Sequence, residues 1–216
     1  MRRYAIGAGL LLLIMLALAI SNNPGLTSAS AQLAATTNGT PYAPLPAQKP
    51  DDGSLLGKPT ISAHFIDQVL AAYHSPATGT GQQLYDLGVQ AGIDPAYALA
   101  FFLHESRFGT TGEARVTLSL GNERCIPDRP CIDQDRGGYA QMESWVDGYA
   151  HWYALIRNLY VTGAINQYIG RNACPCTTIP QIIPVYAPSS DGNDEQAYIS
   201  AILHAVQTWR AGRIFV

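Results

Sequence analysis

The sequence predicts a mainly α-helical domain over residues 59–216, and three observations carry that prediction. Apolar residues recur at helical spacing in one stretch after another. Caps and breakers punctuate those stretches where helices begin and end. No convincing run alternates apolar and polar residues as a half-buried strand does.

The first helix is expected over Thr60 to Tyr73, with Ile61, Phe65, Ile66, Val69, Leu70 and Tyr73 on one face and Ser75-Pro76 ending it. After a Gly/Thr turn, Gly81 to Ala91 repeats the pattern with Leu84, Leu87 and Val89, and Gly92 closes it. Asp94-Pro95 then supplies an N-cap and a proline at the first helical position. The next helix, AYALAFFLHESRFG over 96–109, is apolar almost all the way round for two turns, which marks a buried helix.

From Gly109 to Gly138 periodicity gives way to Gly, Pro, Asp and two cysteines, a long irregular excursion of the kind that is commonly functional or disordered. Ser144 and Asp147 form a variant capping box that opens a helix to about Tyr160, with Tyr149, Trp152, Tyr153, Ile156 and Leu159 on one face. A short helix is expected near Ala164 to Ile169. Thr178-Ile179-Pro180 caps a brief segment reaching Tyr186. Asp194 opens a final helix carrying Tyr198, Ile199, Ile202, Leu203, Val206 and Trp209.

The N-terminal region has a different character. Arg2 and Arg3 precede an unbroken apolar run from Tyr4 to Ile20, and Ala29-Ser30-Ala31 has the small-x-small form of a signal-peptidase site. Residues 1–31 therefore read either as a cleaved signal peptide or as a retained membrane anchor, and both send the rest of the chain out of the cytoplasm. Residues 32–58, rich in Pro, Gly, Thr and Ala and without periodicity, read as a flexible linker. Loss of residues 1–31 would leave 11 basic against 16 acidic residues, a net charge of −5. With no basic run or basic helix face, nucleic acid is not expected as a partner.

The four cysteines, Cys125, Cys131, Cys174 and Cys176, form an even set in an exported chain and suggest disulfides, with three connectivities open. Cys125 with Cys131 would close a short loop and leave Cys174-Pro175-Cys176 as a tight pair, while pairing between the loops is the alternative. A zinc site lacks both the C-x-x-C spacing and a nearby histidine.

Glu105 is the residue that carries the most chemistry. As a plain surface carboxylate near a helix C-terminus it would oppose the macrodipole at a cost of about 0.3–1 kcal/mol. With Leu99, Phe101, Phe102 and Leu103 just upstream it is expected half in the core, where burial raises a carboxyl pKa and makes a general acid. The neighbouring His104 belongs to no HExxH spacing, the other histidines stand singly, and no G-x-S-x-G elbow or phosphate cradle occurs. Glycosidic hydrolysis commonly needs a second carboxylate or a substitute such as the substrate's acetamido group. Glu113, Glu123, Asp133, Asp135, Glu143 and Asp147 lie in or near the excursion, and each reads first as solvated loop charge. Tyr139, Trp145, Trp152 and Tyr186 each read first as core packing, with sugar stacking on their aromatic faces as the alternative.

The stretches FFLHESRFGTTG, SLGNERC, GGYAQMESWVDGYAHWYALI and IIPVYAPSSDGNDEQAYISAI, in that order, resemble the glucosaminidase domain of bacterial wall hydrolases, family 73 of the glycoside hydrolases, over about Ile61 to Trp209. The resemblance implies a lysozyme-like helical domain and cleavage of peptidoglycan on the reducing side of N-acetylglucosamine. It implies that Glu105 is the general acid and that Asn122, Tyr139, Gln141 and Tyr186 contact the glycan. Glu123 stands where an apolar residue is more usual and is given no role. The resulting expectation is an exported or tethered monomeric endo-β-N-acetylglucosaminidase that acts on glycan strands without metal or organic cofactor. A lytic transglycosylase of the same fold and a non-catalytic wall-binding module are the alternatives.

Overall fold

The structure, a computed structural model, describes residues 52–216. The apolar run at 4–20, the small-x-small site and most of the expected linker lie outside the described residues. The described chain is mainly helical, in the order α1 (Ala63–Ala72), α2 (Gly81–Ala91), α3 (Pro95–Ser106), α4 (Ala114–Thr117), β1 (Cys131–Ile132), β2 (Tyr139–Ala140), α5 (Trp145–Leu155), α6 (Asn166–Ile169), α7 (Ile179–Tyr186) and α8 (Glu195–Arg210).

Each boundary has a local cause. The Ser62 hydroxyl accepts the Phe65 amide and starts α1 three residues later than the apolar pattern suggested. Gly92, at φ 67°, ends α2 in the left-handed region. Asp67 of α1 accepts the amides of Gly79 and Gly81 at 3.0 and 2.9 Å, which fixes the turn between the first two helices. Ser144 and Asp194 accept the amides of Asp147 and Ala197, so the caps read from the sequence start α5 and α8. Beyond Leu155 the helix loosens into a π-helical turn over Ile156–Val161, a widening that residue pattern does not announce.

Helix α3 is the axis of the core. Its residues from Pro95 to Phe102 are all buried, with α8 and α2 packed against it and α5 packed on α2. Phe102 stands edge-on to Trp152 and stacks with Tyr149, and Phe101 packs against Trp152 and Tyr198. The start of α3 and the end of α8 are joined by a buried ion pair. Asp94 caps α3 through the Ala96 amide, accepts from Thr60, and takes the Arg210 guanidinium at 3.0 Å.

Three expectations are corrected. The folded part begins earlier than residue 59: Leu55 is 1% exposed in the core, Leu56 bridges to Ile93 and Ser54 to Thr178. Such isolated bridges leave no repeating pattern to read. Val89 is 50% exposed, because it sits about 140° round the helix from the buried Leu84. The excursion holds two short helical turns, α4 and a 3-10 turn over Gln134–Arg136, and its Cys131 and Ile132 pair antiparallel with Ala140 and Tyr139, too short a pairing to show alternation.

The cysteines pair within their own loops, Cys125 with Cys131 and Cys174 with Cys176, which removes the zinc reading and the cross-loop pairing. Disulfides are features of oxidising compartments. Among the described residues no helix is long and apolar enough to cross a membrane.

Candidate functional site

The last turn of α3 carries Glu105 to the wall of an open groove of about 1140 Å³. The turn immediately after the acid shapes this wall. Arg107, Phe108 and Gly109 are three successive residues with positive φ, at 48°, 56° and 77°, and they reverse the chain sharply. The buried Ser106 hydroxyl receives the Gly109 amide at 2.9 Å and donates to the Leu120 carbonyl at 2.8 Å. That bond draws the segment 120–123 back alongside α3. Gly121 permits the approach, since a Cβ there would lie 2.8 Å from Trp152 Cδ1.

Asn122 then lies against the acid's own backbone. Its Nδ2 donates to the Glu105 carbonyl at 2.9 Å, satisfying one of the open carbonyls at the helix end. The Asn122 backbone is left-handed, at φ 48°, a conformation asparagine tolerates better than most residues. Its Oδ1 is buried without a hydrogen-bond partner among the described residues.

The side chain of Glu105 is held from α8, which packs against α3. The Tyr198 hydroxyl, on the first turn of α8, donates to Glu105 Oε1. Burial raises the Glu105 pKa, and it outweighs the lowering by the Tyr198 hydrogen bond and the Arg124 charge. The same burial, with the Glu105 charge beside it, holds the Tyr198 phenol well above its ordinary range, so it stays a donor. The His104 ring stacks on that of Tyr198, with centroids 3.7 Å apart. Its pKa is lowered by burial, which favours the neutral ring.

A second carboxyl shares the wall. Glu123 is 7% exposed, its Oε1 has no hydrogen-bond partner among the described residues, and burial followed by the repulsion of Asp147 pushes its pKa up to about 8. The charges of Glu105 and Glu123 both act on the Tyr186 hydroxyl and, after burial, raise its pKa further. The reading of Glu123 as solvated loop charge is therefore overturned. Its neighbours explain why it stays in: the Ser119 hydroxyl accepts its amide at 3.2 Å, and its carbonyl takes the Ala140 amide at 3.0 Å, tying it to β2.

Of the residues singled out from the sequence, Glu105, Asn122, Tyr139 and Tyr186 line this groove together. Tyr139 lies under the Arg124 guanidinium, 4.6 Å from the ring centre. Gln141 stands apart from them. It does not line the groove, and its amide donates at 3.4 Å to the Val116 carbonyl; its strand ends at Ala140, and its backbone amide is taken by Pro130. Trp152 is buried in the core and Trp145 packs beside it, so neither offers a free stacking face in the groove.

Sequence reasoning missed Tyr198, Arg124 and Glu123 as wall residues. Tyr198 read as one more apolar position of α8. A tyrosine among aliphatic residues was its one distinguishing signal, because a buried phenol needs a partner. Three of the other excursion acids are engaged elsewhere: Asp147 takes the Arg129 fork at 2.9 and 3.1 Å, and Glu113 and Asp133 both bind Arg136.

Fold and site together define a helical, disulfide-linked domain with a half-buried carboxyl, Glu105, on the wall of an open groove. Models of known protein families do not match the chain, and curated proteins give no match either.

Proposed function

We propose that this chain is a lysozyme-like peptidoglycan hydrolase, an endo-β-N-acetylglucosaminidase that acts outside the cytoplasm with Glu105 as its general acid. The observation that carries the reading is the state of Glu105: a half-buried carboxyl at the wall of an open groove, its pKa raised, one oxygen fixed by Tyr198 and the other left for the substrate. A general acid needs that combination, since it must hold its proton near neutral pH and present it in one direction. The groove suits a linear polymer, and Tyr139 and Tyr186 supply ring faces along it. The resemblance in sequence at the four motifs supplies the substrate.

In the reaction Glu105 protonates the glycosidic oxygen as the bond to the anomeric carbon breaks, and water or the 2-acetamido oxygen attacks that carbon. Glu123, neutral below about pH 8, is not the base that a two-carboxylate hydrolase would use near neutrality. This favours routes that need one carboxyl. They include the lytic transglycosylase reaction, in which the same acid returns as a base.

Digestion of purified walls followed by mass spectrometry separates the readings. Reducing-end N-acetylglucosamine is expected, with at least about a hundredfold loss of release in Glu105→Gln. Anhydromuramic ends would assign the transglycosylase, and binding without new products would assign a wall-binding module. Full activity in Glu105→Gln would remove Glu105 from the mechanism.

A further inference from the structure

Two adjacent side chains on the groove wall are left incomplete. Among the described residues Asn122 Oδ1 and Glu123 Oε1 are buried acceptors without a partner, although buried polar atoms are paired in the great majority of folded proteins. Asn122 donates from Nδ2 to the Glu105 carbonyl, which leaves its Oδ1 as an unpartnered acceptor directly beside the acid. The described fold gives the Glu123 carboxyl no ion pair, and its Oε1 is buried without a hydrogen bond, so packing alone does not call for an acid at 123.

We propose that Asn122 and Glu123 form a subsite that reads the 2-acetamido group of a hexosamine seated against Glu105. This rests on the reading of the groove as a glycan site and adds to it the residues that select an N-acetylated sugar. An acetamido group carries one N–H donor and one carbonyl acceptor on neighbouring atoms, followed by a methyl. A neutral carboxyl carries the complementary pair, one acceptor oxygen and one O–H. Asn122 Oδ1 adds a second acceptor for the N–H or for a sugar hydroxyl. Leu155 and Tyr160 on the same groove offer an apolar seat for the methyl. A plain hydroxyl in place of the amide leaves one of these groups unsatisfied, which is how a polar site rejects the analogue lacking its partner.

The protonation state of Glu123 is set by its surroundings. Beside Glu123 the groove wall carries Glu105 and His104 on α3, Arg124, Tyr139, His151, Tyr160, Arg171, Tyr186, Asp191, and Glu195 and Tyr198 on α8, and Asp147 on α5 acts on it from behind the wall. Burial and the repulsion of Asp147 keep the carboxyl neutral up to about pH 8. Above that pH the O–H is lost and the carbonyl of the acetamido group faces a carboxylate.

The test uses the full chain carrying Glu105→Gln, which binds without turnover, and calorimetry with a tetrasaccharide of alternating N-acetylglucosamine and N-acetylmuramic acid, intact or N-deacetylated. At pH 6 the acetylated sugar is expected to bind at least about tenfold tighter. Adding Glu123→Leu removes the preference, and Glu123→Gln, which offers one donor and one acceptor, restores it. Affinity weakens as pH rises through about 8 with Glu at 123 and stays level with Gln there. Equal binding of both sugars, or a preference that survives Glu123→Leu, overturns the subsite while leaving the glycan reading intact. If neither sugar binds and wild type releases nothing from walls, the glycan reading falls, and the subsite with it. The Gln arm keeps the test decisive should the Leu chain fail to fold.

Discussion

The Tyr198 hydroxyl donates to Oε1 of Glu105, joining the first turn of the last helix to the last turn of the buried one across 93 residues of sequence. The bond favours the carboxylate, while burial favours the neutral acid and prevails. Tyr198 therefore sets the direction of the carboxyl more than its charge.

Tyr198→Phe tests this division. Loss of the donor raises the Glu105 pKa further, so the alkaline limb of wall hydrolysis moves to higher pH. Turnover at the optimum falls about tenfold or more, because the acid is no longer held in one orientation. A turbidity assay across pH measures both effects. A limb that moves to lower pH would contradict the assignment.

Glu123 destabilises the fold when it ionises. Its pKa is near 4.5 in the unfolded chain and about 8 in the folded one, so the native state binds more protons between those values. Stability from this group is fully present below about 4.5 and declines as pH rises through about 8. Glu123→Gln is expected to melt higher than wild type at pH 8, by a margin on the order of a few kcal/mol that shrinks to nothing near pH 4. Denaturant unfolding at the two pH values measures it.

Gly121→Ala reaches the site through packing. The added Cβ would meet Trp152 Cδ1 at 2.8 Å, and the indole is fixed between Phe101, Phe102 and Tyr153. Overpacking of this kind costs about 1–3 kcal/mol. Displacement of the segment bearing Asn122 and Glu123 is expected to lower activity even at temperatures where the variant is fully folded. Circular dichroism and wall hydrolysis on the same sample separate the two effects.

Arg210→Ala leaves Asp94 as a buried carboxylate that still caps α3 but has lost its guanidinium. Breaking a buried pair from one side costs about 3–5 kcal/mol. The loss is expected in urea unfolding, with a smaller loss for the double variant Asp94→Asn, Arg210→Met.

By itself the sequence determined the main helices and several of their ends. Apolar spacing and caps such as Asp94, Ser144 and Asp194 act within a few residues, so they are written locally. It also singled out Glu105, since an acid at the end of an otherwise apolar helix is anomalous without knowledge of any neighbour. The partners of that acid were decided by tertiary structure. Tyr198 reaches it from α8, Asn122 through the turn at 107–109 and the Ser106–Leu120 bond, and Glu123 is held inside by the Ser119 hydroxyl and the backbone tie to Ala140. Those contacts join segments far apart in the chain, so burial, hydrogen bonding and pKa at the groove are properties of the packed chain and have no local pattern to announce them.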